Sequence, residues 1–156
     1  MTNNPSLLRH TLATLAYRLG KVVRDAPEGF TTYPDGDTQC AGKILAHVGD
    51  LMDWAVSLVD GAQKWNDSKP LTWADEVARV FKAIETFDQR LEQTGAGASS
   101  EERLFQGPIA DALTHTGQLA MMRRLAGCKM KGENYHKADI VVGRVGLDQT
   151  LPRSEF

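Results

Sequence analysis

The chain has 156 residues, 42% of them hydrophobic and 24% charged, with a formal net charge of −2. That size and balance fit a single globular domain, 1–156, large enough to bury one full core. The near-neutral charge gives no bias toward nucleic acid or an anionic membrane surface, since Arg123-Arg124 and Lys129 with Lys131 are small local clusters.

The N-terminus, MTNNPSLLRHTLATLAYRLG, lacks the basic start and unbroken apolar core of a signal peptide. No apolar run approaches the roughly 20 residues that span a bilayer, so a cytoplasmic location is expected. A first amphipathic helix is predicted from about Pro5 to Val23, with Leu8, Leu12, Leu15, Leu19 and Val22 at three- and four-residue steps. Pro5 suits a first helical turn. The following DAPEGFTTYPDGD is dense in Pro, Gly and Asp and reads as a loop.

A second helix is predicted from a cap at Asp37 or Thr38 to about Asp60, with Gly61 as its stop. Its stripe is Cys40, Ile44, His47, Leu51, Trp54 and Leu58, which points His47 inward. A third opens at Thr72, with Asp75 at capping-box spacing, and runs to about Gln93. TGAGASSEE reads as a flexible polar connection. The fourth helix is expected to have Gly107 at its cap and Pro108 in its first turn. Gly127 ends it, after Arg123 and Arg124, whose charges suit the negative helix end. The remainder, 128–156, reads as an irregular appendage to a four-helix bundle.

Cys40 and Cys128 are too few and too far apart for a disulfide framework or a thiolate zinc site, and are expected as reduced, buried small hydrophobes. Nor do the residues form a nucleophilic triad or a phosphate-cradling loop. The chemistry sits instead in GPIADALTHTGQLAMMRRLAG. Asp111 and His115, four apart on a helix, project from one face, and His47 faces them from the second helix. Two imidazoles and one carboxylate suit Zn, Ni, Fe or Mn and leave coordination positions open. On spacing alone, a core histidine and an ordinary intrahelical ion pair explain the same residues, and both readings stay open.

The layout resembles the DinB/YfiT-like family. ILAHVGDLMDW matches its inward histidine on helix two at His47, and THTGQLAMMRRLAG matches its His-x-Gly-Gln segment and Arg-rich end at His115. The resemblance covers about residues 5–127 and implies an up-down-down-up four-helix bundle and a homodimer. It also implies a divalent metal at His47, Asp111 and His115. Where the family has a histidine, this chain has Asp111, which hardens the site toward oxygen-preferring metals. Active relatives are metal-dependent transferases or isomerases using low-molecular-weight thiols such as bacillithiol, mycothiol or glutathione.

Around the triad, Asp50 is expected to orient His47 or to reach the ion through water, with a solvated surface acid as the alternative. Gln118 is expected to hydrogen-bond near the site, and Trp54 and Met122 to form pocket wall or core. His10 is expected exposed. For His136 the surface is favoured over a lid above the bundle mouth with Tyr135. The rival functions are a non-catalytic small-molecule-binding module and a dimerising stress-response protein, neither with a functional metal site.

Overall fold

A computed structural model describes residues 6–36 and 39–156. Ser6 opens the first helix: its hydroxyl accepts from the Arg9 backbone N–H at 3.2 Å, and α1 follows as Leu7–Val23. The second, α2, is Ala41–Val59, with Cys40 at its N-cap position. The capping residues expected for it, Asp37 and Thr38, lie outside the described residues, as does Pro5. Gly61, at φ 74°, closes α2 through paired backbone bonds from Gly61 to Leu58 and from Ala62 to Ser57. This is the double closure that a left-handed residue just past a helix end allows. Thr72 caps α3, Trp73–Thr94, accepting from the Asp75 backbone N–H at 3.3 Å.

The fourth rod departs from the expected boundaries. It begins as α4, Glu101–Leu104, capped by Ser100, continues through a π-helical turn at Phe105–Ile109, and runs on as α5, Ala110–Leu125. Gly107 is therefore not its cap, and Pro108 lies inside it rather than in a first turn. An α-helical turn has no room for a proline ring against the carbonyl four residues earlier, and proline has no N–H to give. Widening to a π-turn lets the helix pass Pro108 without stopping. The connection before it is short and fixed. Ala98 N–H donates to Val59 O at 2.9 Å, and a Cβ on Gly97 (φ 56°) would collide with that same carbonyl.

The four rods form an all-α bundle, and contacts between their ends give its topology. Arg9, early in α1, pairs with Asp88, late in α3 (Nη2–Oδ2 2.8 Å), while Trp73 at the start of α3 meets Val23 at the end of α1. Helices α1 and α3 are therefore antiparallel. Arg123, near the end of α5, donates to Val22 O and Arg24 O at 2.8 and 2.7 Å, so α5 runs parallel to α1. The end of α2 meets the turn that follows α3, which makes α2 and α3 parallel. The order is up-down-down-up, with α1 and α2 on opposite corners. Leu12, Leu15, Leu19, Leu45, Met52, Ile84, Phe87, Ile109 and Leu119 fill the centre and are fully buried. No helix among the described residues is long and apolar enough to cross a membrane.

Residues 128–156 carry one 3₁₀ turn, Tyr135–Lys137, and an isolated bridge between Glu133 and Glu155, with no strand among the described residues. They pack along α1. Tyr17 donates to Glu133 at 2.7 Å, and Arg18 lies 4.1 Å over the Tyr135 ring. Burial and the Glu133 carboxylate both push the Tyr17 phenol above its ordinary range. Cys40 and Cys128 are free thiols, but both are partly exposed rather than buried. Cys128 sits at the bundle end, where its sulfur accepts from Arg123 at 3.2 Å. Arg123 also serves more than its own helix end: it is buried and caps the carbonyls that terminate α1.

Candidate metal centre

Parallel α2 and α3 cannot be joined by a tight turn. Residues 60–72 must return along the bundle, a distance of about 28 Å for a helix of α2's length at 1.5 Å per residue. Thirteen extended residues reach about 43 Å, so the crossover fits with some slack. It runs past the middle of α2 and lays Trp65 against His47, ring centroids 5.5 Å apart.

Asp50 ties the crossover down. It accepts from the Ser68 backbone N–H at 2.8 Å and from the Ser68 hydroxyl at 2.6 Å, and it is paired with Arg79 of α3. Arg79 also donates to Glu76 at 2.8 Å and to Ala46 O at 3.2 Å. Gly49 leaves the space for it, since any Cβ there would collide with the guanidinium. Glu76 in turn accepts from Leu71 N–H at 3.0 Å, holding the crossover's far end. Burial pushes the neighbouring Asp53 carboxyl upward, against the pull of Arg79. The expected partnership of Asp50 with His47 is absent among these bonds, and Asp50 is buried rather than solvated. Arg79 takes it because a guanidinium brings a permanent full positive charge and several donors to a buried carboxylate.

On the α5 side, Asp111 and His115 lie one turn apart and face His47 across the groove. Asp111 Oδ2 is 3.6 Å from His47 Nε2, and its Oδ1 is 3.4 Å from His115 Nε2. The two imidazole centroids are 4.8 Å apart, and one ligand atom from each residue lies within 4.8 Å of the others. A tetrahedral ion with bonds of about 2.1 Å would hold its ligand atoms about 3.4 Å apart; each imidazole lies near that distance from a different Asp111 oxygen, while one atom from each residue together lies within 4.8 Å. Among the described residues, this is the group of His, Cys, Asp and Glu side chains with that convergence.

His47 does not point into the core as its stripe suggested. Ile44 and Leu51 are buried, but the His47 side chain is 38% exposed and the Asp111 side chain 47%. The triad thus occupies the rim of the α2–α5 groove, open to small molecules. Gln118 lies beside it. Its Oε1 is 2.7 Å from His115 Nδ1, and with the proton on Nδ1 the Nε2 lone pair turns toward Asp111 and His47. Gly117, the other half of the His-x-Gly-Gln segment, faces open space, and nothing in the monomer requires a glycine there.

Trp54 lines a neighbouring cavity of about 600 Å³ with Leu58, Gln63, Arg103 and Gln106, and Trp65 stands between it and His47 at 6.0 Å from the Trp54 ring. Met122 is partly buried against the core. His10 and His136 are both exposed, and Tyr135 packs on Tyr17 of α1 (ring centroids 6.2 Å), far in the fold from a lid over the triad. The wall beside His47 and His115 comes from the crossover, through Asp67, Ser68, Lys69 and Pro70, with Trp65 packed on His47, and the sequence singled out none of these. A tryptophan and a serine in a polar loop carry no periodicity, so only the parallel packing of α2 and α3 reveals them.

No protein-family model matches this chain, and neither a curated protein nor a solved structure matches it.

Proposed function

We propose that this protein is a DinB-like metalloenzyme that binds a divalent cation through His47, Asp111 and His115 and acts on small molecules, with a low-molecular-weight thiol as co-substrate. The observation that carries the reading is the convergence of two imidazoles on one carboxylate at a solvent-open rim, with Gln118 set to fix the tautomer of one of them. Supporting it is the match of topology and of the His47 and His115 segments to that family's pattern.

A divalent ion at this site would supply Lewis acidity, lowering the pKa of a bound thiol or water near neutrality. The chain's own residues set the conditions for that chemistry. Gln118 orients His115, Trp65 shields one side of His47 from water, and the Asp50–Arg79–Ser68 network holds the crossover in place. A transferase or isomerase would then bring the thiolate to an electrophilic carbon. Under this reading the protein works in the cytoplasm, as a homodimer.

Protein purified without a histidine tag and stripped by chelation is expected to take up one equivalent of Zn, Ni, Fe or Mn. His115→Ala should abolish uptake, whereas His10→Ala, a change on the exposed start of α1, should leave it intact. Failure to bind any of the four metals, or identical behaviour of the two variants, overturns the assignment. Light scattering of the same samples tests the dimer. Turnover of an electrophile with a cellular thiol that survives His47→Ala would refute the mechanism.

A further inference from the structure

A cavity of about 580 Å³ opens beside the triad, reaching His47 and His115. Beside the two histidines, Lys43 of α2 and Lys69 of the crossover also line it. Lys43 precedes His47 by one helical turn, so both project from the same face. Neither lysine has an acidic partner among the described residues, and Asp50 on the same wall is taken by Arg79 and Ser68. Among the described residues lining the cavity, Asp67 is the uncommitted carboxylate, alongside two ammonium groups. Two ammonium groups against one free carboxylate leave the cavity wall net positive, which favours a negatively charged ligand.

We infer that this cavity selects a small organic acid, whose carboxylate is held between Lys43 and Lys69 while its other end reaches the triad. The inference rests on the metal reading above and narrows its substrate class. An ion of charge +2 with a single carboxylate ligand would leave the site positive as well, so site and cavity wall favour the same sign of ligand. The cavity is large enough for a molecule of modest size, and its rim is open, so the discrimination comes from charge rather than from a tight steric fit. Both lysines are exposed, which limits the effect to about tenfold in affinity and makes it sensitive to salt.

Protein loaded with Co²⁺ gives a visible spectrum that reports its ligands. It would be titrated with 3-mercaptopropionate and with 3-mercaptopropan-1-ol, thiols of equal length that differ in the charged end. The acid is expected to bind about tenfold more tightly, with the margin shrinking as salt is raised. The double variant Lys43→Gln, Lys69→Gln should keep the Co²⁺ spectrum and the affinity for the alcohol but lose the preference. Equal binding of the two thiols by the native protein, or a preference that survives in the double variant, overturns the inference and leaves the metal reading standing. The same holds if neither thiol perturbs the spectrum. Absence of any Co²⁺ spectrum in the native protein removes the metal reading, and this inference with it.

Discussion

Asp111 offers one oxygen to each histidine, so it is the residue through which His47 and His115 share a site. It is also where the chain departs from the three-histidine pattern it resembles. A carboxylate favours harder ions than an imidazole does and carries a full negative charge. Asp111→His is therefore expected to retain binding while shifting preference from Mn²⁺ toward Zn²⁺ and Ni²⁺, read as a competition ratio by metal analysis. Loss of all binding would show that the carboxylate bridges the histidines in a way an imidazole cannot replace. The spacing of Asp111 and His115 made this pair visible in the sequence. Asp50 misled for the same reason: a place three residues from His47 gives a shared helix face but not the partner that wins. Arg79, distant in sequence, supplies the permanent positive charge and the donors that hold it.

At the scale of elements, the crossover between α2 and α3 does more for the site than any helix but α2 and α5. Its anchorage is a mostly buried charge network in which Arg79 satisfies Asp50 and Glu76 together, with side chains 3% and 1% exposed. Removing one partner of such a network leaves uncompensated charge in the interior. Arg79→Met should destabilise the protein by about 3–5 kcal/mol, measured by denaturant unfolding. It should also speed hydrogen exchange around Trp65 and Ser68 well before global unfolding. A loss under about 1 kcal/mol would mean the crossover is held by other contacts, since exposed ion pairs contribute about that much or less. The π-turn at Phe105–Ile109 is the other local decision. Pro108 signals a helix start by propensity, and that rule gave way because Ser100 caps an earlier one and the widened turn accommodates the ring.

Across the whole molecule, the C-terminal segment and Arg123 close the end of the bundle and the flank of α1. Tyr17 joins the two, with its hydroxyl on Glu133 and Lys21 3.6 Å from the same carboxylate. Its folded pKa lies above the ordinary 10.0, so the neutral phenol is the form the fold prefers. That contribution is intact below pH 10 and falls away as the pH rises further, because the unfolded chain then gains by ionising. Stability measured from pH 8 to 11 should drop less steeply in Tyr17→Phe than in the native protein. Equal slopes would show that the phenol titrates freely in the folded state.

The sequence by itself determined the all-α class, the helical segments within a few residues and the candidate ligands. Those follow from local physics: apolar periodicity, the Thr72 cap, the Gly61 and Gly127 stops, and the fixed four-residue geometry of a helix face. Only the tertiary structure decided that the fourth rod runs unbroken through Pro108, that Arg123 caps α1, and that the crossover walls the triad. Each of these depends on which groups meet across the bundle. A buried charge or carbonyl takes the strongest partner that packing brings within reach, and nothing in its own neighbourhood of the chain names that partner.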